Sequence, residues 1–204
     1  MFGIATSGVK IAICQCPVPL PSAPSDTNGL IKILNTGSAT ERIYAARTLG
    51  TRRENSDEVI ASLALNLSHE NASVRQEVIR ALGNIGLSAQ ETREQLTTVL
   101  LRDEFAGVRS EAARALGRIG DRASVPYLAQ SLQDENVVVR ISAAEAIETL
   151  TGEIFEFRTE STGSSTLSDL PTKVPAAIEW WESKGQYMNW ATVPTPTATV
   201  SHSQ

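Results

Sequence analysis

The chain has 204 residues, 41% of them hydrophobic and 20% charged, with a formal net charge of -5 at pH 7. That is enough apolar content for one packed core, and an acidic balance without a basic tract argues against a broad nucleic-acid-binding surface. Aromatic residues make up only 5%, so Ala and Leu carry the apolar load, which suits closely spaced helices better than a β-sandwich. No apolar run reaches the roughly 18 residues that a membrane-spanning helix needs. The only two cysteines, Cys14 and Cys16, are too close together to staple a domain and fit a reducing, cytoplasmic setting.

Residues 1–28 read as a leader and Pro-rich linker, mostly disordered. Lys10 interrupts the mildly apolar stretch from Phe2 to Cys16, whereas a secretory signal carries its positive charge ahead of the apolar core. Ile11-Ala12-Ile13-Cys14 has the outline of a lipoprotein cleavage box, but Ile13 is too bulky for the small residue expected before the cysteine. Neither export nor lipidation is expected. Pro17, Pro19, Pro21 and Pro24 hold the following stretch extended, since each bars its predecessor from a helix.

Helical periodicity begins near Leu30. Leu30, Ile31, Ile33 and Leu34 predict the end of a helix whose start is degenerate. Ser38 and Glu41 form a capping box for a second helix with Ala45, Ala46 and Leu49 on one face. Ser56 is expected to cap the next helix, with Ile60, Leu63 and Leu67 inward. Ser68-His69-Glu70-Asn71 turns the chain, and Val74, Val78, Ile79, Leu82 and Ile85 form a stripe that Gly86 ends. Ser88 and Glu91 predict another capping box, followed by Leu96, Val99 and Leu100 inward. After a turn at Arg102-Asp103-Glu104, a helix buries Val108, Ala112, Ala113, Leu116 and Ile119. Ser124 is expected to cap the fourth pair, with Pro126 in the first turn, and Leu128 and Leu132 face inward. Gln133-Asp134-Glu135-Asn136 turns, and Val139, Ala143, Ala144, Ile147 and Leu150 complete the last stripe.

These pairs are copies of one unit. Val108-Arg109-Ser110-Glu111-Ala112-Ala113-Arg114-Ala115-Leu116-Gly117 aligns with the stretches from Val74, from Val139 and, more weakly, from Glu41. A period of roughly 30–45 residues is the signature of a helical solenoid. A lone pair cannot cover its own stripe, and fully burying one Leu or Ile contributes roughly 1.5–3 kcal/mol, so the units must stack. The expected fold is all-α: a solenoid of about four antiparallel helix pairs over residues 29–152. A Ser/Thr-rich loop is expected over 153–174 and a disordered tail over 191–204. Between them, a helix over 175–190 carries Trp180, Trp181 and Trp190, either as a cap on the open end of the core, which is expected, or as an exposed aromatic platform.

The motif from Val108 to Gly120, then Asp121, Val125-Pro126-x-Leu128 and the L-x-D-E from Leu132 to Glu135, resembles HEAT repeats, in particular the short HEAT-like repeats of phycobilisome lyases. The resemblance spans residues 30–152 and implies that the second helix of each pair lines a concave side. The motif is specific for the fold and poor for function; the residues of that concave side are read as a groove, so the expected function is a non-catalytic scaffold or adaptor that binds a protein partner along it. The alternative that the resemblance implies is a bilin lyase subunit or chromophore chaperone, whose partner would be a phycobiliprotein or a second HEAT-like subunit. Two positions depart from the pattern: Glu41 stands where Val74, Val108 and Val139 stand, and His69 where Asp103 and Asp134 stand.

Arg42, Arg75, Arg109 and Arg140 occupy one register position and form a ladder. With Asp103 and Asp134 across the turn, they predict an Arg–carboxylate brace, within one unit or between units. Positions one, two and five after each ladder arginine should point away from the stripe, giving Ile43, Tyr44 and Arg47; Gln76, Glu77 and Arg80; Ser110, Glu111 and Arg114; and Ile141, Ser142 and Glu145. Of these, Tyr44, Arg47, Gln76, Glu77, Arg80, Ser110, Glu111, Arg114 and Glu145 are the expected protein contacts, since Tyr and Arg dominate interface hot spots. No catalytic, cofactor or metal residues are assigned. His69-Glu70 resembles a His-Glu pair of deoxyhypusine hydroxylase, a di-iron enzyme built on HEAT-like repeats, but the pair does not recur in the other units. Cys14 and Cys16 lack the second pair that a zinc site needs, and no phosphate-binding or hydrolase motif is present.

Overall fold

The computed structural model describes residues 26–156 and 173–190. The expected linker up to residue 25, most of the Ser/Thr-rich loop (157–172) and the tail from 191 lie outside the described residues. The described residues form α1 (Thr27–Thr36), α2 (Ala39–Arg52), α3 (Asp57–Leu65), α4 (Ala72–Ile85), α5 (Arg93–Arg102), α6 (Ala106–Ile119), α7 (Val125–Ser131), α8 (Val137–Thr151) and α9 (Val174–Ser183), and no strand.

Local chemistry sets the starts and stops. The Gly29 N–H donates to the Asp26 carboxylate at 2.9 Å, so α1 has a defined start that its apolar pattern does not reveal. The capping box on α2 forms, with Ser38 N–H donating to Glu41 Oε2 at 2.8 Å and Glu41 N–H to Ser38 Oγ at 3.5 Å. Gly86, Gly120 and Gly152 end α4, α6 and α8 with φ of 80°, 85° and 76°, in the region where a side chain is strained.

Three expected caps are not made. Ser56 occupies the N-cap of α3 without a side-chain bond, and Ser124 stands at the N-cap of α7 without one. The Ser88–Glu91 box is absent: Gly86–Thr92 is a 3₁₀ segment, Ser88 and Glu91 are exposed, and α5 starts only at Arg93. Thr92 turns its hydroxyl onto the Ala89 carbonyl at 2.7 Å, and Ala89 is fully buried. Seating that alanine in the core holds the segment in the tighter coil and delays the α-helix.

The helices make two layers, α1, α3, α5 and α7 in one and α2, α4, α6 and α8 in the other. Neighbouring second helices contact one another closely, whereas neighbouring first helices touch sparsely. The reason is a Gly–Ala crossing at each step. A Cβ on Gly50 would lie 2.6 Å from Ala81 Cα, one on Gly83 2.9 Å from Ala115 Cα, and one on Gly117 3.1 Å from Ala146 Cα. The second-helix layer, being closer spaced, is the inner side of the stack.

At the C-terminal end the crossing rule stops. Glu148 stands where Gly50, Gly83 and Gly117 stand, and its carboxylate accepts from Phe155 N–H at 2.7 Å and Lys173 Nζ at 2.6 Å. Those bonds hold the chain after α8 and the start of α9 against the last unit, with Val174 and Ala177 buried. Phe155 meets Trp180 at 5.7 Å between ring centroids, and Trp180 meets Trp190 at 6.0 Å. Trp190 is buried, under the Arg122 guanidinium. The aromatic segment is therefore a cap, although its α-helix ends at Ser183 and Gly185–Tyr187 continues as a 3₁₀ turn.

The crossings set a stability test. Gly50→Ala would gain about 1 kcal/mol of helix propensity, but its methyl would overlap the α4 backbone. We expect a net loss of about 1–3 kcal/mol from overpacking, read as a lower urea midpoint; an unchanged midpoint would refute the close crossing.

Candidate protein-binding face

The ladder arginines lie at the turn edge of the second-helix layer. Arg75 and Arg109 are buried beside carboxylates of the following unit, not of their own. Arg75 donates from Nε and Nη2 to Asp103 at 2.7 and 2.9 Å, and from Nη1 to the His69 carbonyl of its own turn at 2.8 Å. Arg109 repeats the arrangement with Asp134 at 2.8 and 2.9 Å and the Asp103 carbonyl at 2.8 Å. Each guanidinium thus braces its own turn through backbone and ties it to the next turn through a bidentate ion pair. Arg42 does the same with neutral acceptors: the Leu34 and Gly37 carbonyls and Asn66 Oδ1 of the next unit. Arg140 donates to the Asp134 carbonyl at 3.1 Å.

His69 fits this scheme as a turn residue. Its Nδ1 accepts the Asn71 N–H at 3.0 Å, as Asp103 Oδ1 accepts Phe105 N–H and Asp134 Oδ1 accepts Asn136 N–H. Among the described residues no three His, Cys, Asp or Glu side chains are grouped to hold a metal ion.

A second charged row runs along the inner face. Glu77 lies between Arg47 of the preceding unit at 3.1 Å and its own Arg80 at 3.0 Å. Glu111 receives Arg80 from the preceding unit at 3.4 Å, Arg118 at 3.3 Å and Arg114 at 3.8 Å. The acids are covered and the bases are not: Glu77 and Glu111 side chains are 8% and 4% exposed, against 63% for Arg47, 40% for Arg80, 42% for Arg114 and 43% for Arg118.

This corrects part of the expected contact set. Glu77, Ser110 and Glu111 were expected on the free surface and are buried, as is Ser142. The second position after Arg75, Arg109 and Arg140 faces the preceding helix across the seam, a consequence of how closely the Gly–Ala crossings bring the helices together. Ser110 Oγ and Ser142 Oγ meet there at 3.0 Å. Gln76 is half-buried, while Tyr44, Arg47, Arg114 and Glu145 are exposed and Arg80 partly so. Sequence reasoning missed Arg118, which lies one turn after Arg114; its stem passes close to Gly83. Its spacing from Arg114 was the available signal.

Electrostatics follow the geometry. The bond to Asp103 raises the Arg75 pKa and the bond to Asp134 raises that of Arg109. Burial pushes the Asp134 carboxyl up, but the Arg109 bond and the Asn136 N–H outweigh it and hold it below the usual range.

The fold defines a class: an α-solenoid of stacked helix pairs, closed at one end by an aromatic cap. The chain belongs to the HEAT repeats family, whose profile matches residues 27–97 and 93–154. No curated protein matches it. Among solved structures, an engineered protein aligns at 22% identity with a TM-score of 0.52, over 62% of this chain and 63% of its own. This chain therefore spans less than two thirds of that protein's length. The complex of CpcE and CpcF of phycocyanin lyase from Nostoc sp. PCC7120 aligns at 22% identity with a TM-score of 0.45, over 67% of this chain and 70% of its own. Likeness at this level speaks to the fold alone. No helix among the described residues is long and apolar enough to cross a membrane.

The inter-unit brace has a pH signature. A carboxyl held below its unfolded pKa stabilises the fold above the unfolded value, and loses that contribution as pH falls through the folded one. Unfolding free energy should therefore fall on acidification below about pH 4. Asp134→Asn should cost about 1–3 kcal/mol at pH 7 and flatten that acid limb; an acid limb as steep as the parent's in urea titrations would rule the brace out as its source.

Proposed function

We propose that the protein is a non-catalytic scaffold that holds a protein partner along the inner face made by its second helices. The observation that carries this reading is the row Arg47, Arg80, Arg114 and Arg118, exposed above acids that are themselves buried. The face presents guanidinium outward in a chain whose net charge is -5. Tyr44, 36% exposed, adds an aromatic group at one end of the row. Arg and Tyr supply much of the binding energy at protein interfaces, because their flat groups bury area while still making directed hydrogen bonds. The arginines are also pre-organised: Glu77 and Glu111 fix them from below, so less side-chain freedom is lost on association.

The same geometry decides which substitutions test the reading. Arg80 bridges both buried acids, so Arg80→Ala should destabilise the fold by leaving each short of a partner. Arg47 and Arg114 are replaceable, since Glu77 keeps Arg80, and Glu111 keeps Arg80 and Arg118. We expect the Arg47→Ala/Arg114→Ala protein to melt near the parent temperature and to capture its partner from native lysate at least about tenfold less well. Undiminished capture would remove the assignment of this face.

A further inference from the structure

The inner charged row follows a rule that fails once. Across α2–α4, Arg47 meets Glu77; across α4–α6, Arg80 meets Glu111. Across α6–α8, the residue that should meet Arg114 is Ser142, fully buried and already engaged with Ser110. Among the described residues, no carboxylate of the next unit lies within ion-pair distance of Arg114. Its contact with Glu111 is 3.8 Å, and that one carboxylate also serves Arg80 and Arg118. Between Arg114 and Arg118 opens a notch of about 240 Å³, floored by Gly117, Ser142 and Ala146 and edged by Glu145 and Thr149.

We propose that this notch receives a carboxylate side chain, Asp or Glu, from an acidic segment of the protein partner; the inference rests on the scaffold reading above and names the chemistry of its contact. The occupant would fill the role that Glu77 and Glu111 fill at the two preceding seams. Size and charge agree. Small residues floor the space, two half-exposed guanidiniums flank it, and a planar carboxylate matches their fork geometry. Glu145 occupies the register position that Arg80 and Arg114 hold, and places one negative charge at the rim. That charge offsets part of the attraction that the two guanidiniums exert on an anion.

The test selects short random peptides displayed against the full chain, then measures the recovered peptides in solution. We expect enrichment in Asp and Glu. Binding should weaken about tenfold in Arg114→Gln/Arg118→Gln, and equally when the peptide's acid becomes the amide. Lys32→Gln/Arg102→Gln removes the same charge from the other layer and should leave affinity unchanged. Glu145→Gln, at an exposed position, should tighten binding about two- to threefold. It serves as the reading if the double arginine variant fails to fold, and an unchanged affinity there overturns the proposal. So does recovery of no acidic peptides, or an equal loss in the Lys32/Arg102 control. Non-acidic peptides that depend on Arg47 would overturn the notch and leave the scaffold face standing. Failure of the scaffold reading would appear differently, as partner capture indifferent to every arginine of the row.

Discussion

The structure depends on how closely the second helices approach. At Gly50–Ala81, Gly83–Ala115 and Gly117–Ala146 there is room for a hydrogen on one side and a methyl on the other, and for little else. Helix axes this close leave no space for side chains to interdigitate along the crossing line, so the flanking positions bear the specificity. On one flank those positions are apolar and feed the core. On the other they are charged, and the short separation is what lets Arg47 reach Glu77 and Arg80 reach Glu111 across the seam. Wider crossings would turn those contacts into solvent-separated pairs worth little.

Two ionic rows with different tasks result. The ladder at the turn edge is buried: Arg75 and Arg109 are each 7% exposed. Buried ion pairs often stabilise little relative to apolar replacements, yet removing one partner is costly. What the ladder supplies is register. The Arg75 and Arg109 guanidiniums each contact carbonyls of their own turn and a carboxylate of the next, so a unit docked one helical turn out of place would strand both. The inner row is asymmetric instead, with covered acids and exposed bases. That asymmetry converts a contact between units into a surface feature, and links how the stack is held together to what it presents.

Much of this was legible in the sequence. The stripes at Val74–Ile85 and Val108–Ile119, the Ser38–Glu41 box and the helix-ending glycines are local signals, set by periodicity and backbone conformation within one unit. What was not legible lies between units. Helical spacing says that Glu77 and Glu111 leave the core stripe; it does not say that a neighbouring helix then covers them. Asp103 stands before Arg109 in the chain, yet its carboxylate goes to Arg75, because the turns stack edge to edge. The Ser88–Glu91 box failed for a related reason, since seating Ala89 in the core outweighed a cap worth about 1 kcal/mol.

The inter-unit rules also show how the described stack closes. A further unit after α8 would need a glycine where Glu148 stands and a small residue opposite it. Glu148 instead turns its carboxylate to Phe155 N–H and Lys173, and α9 covers the core with Val174 and Ala177. The register position that makes every earlier crossing close is thus the one that ends the series, by exchanging a hydrogen atom for a hydrogen-bonding anion. Substitution at that position blocks continuation, and the same side chain holds the cap that replaces it. The inner face remains the surface where the repeat geometry itself, rather than its termination, is on display.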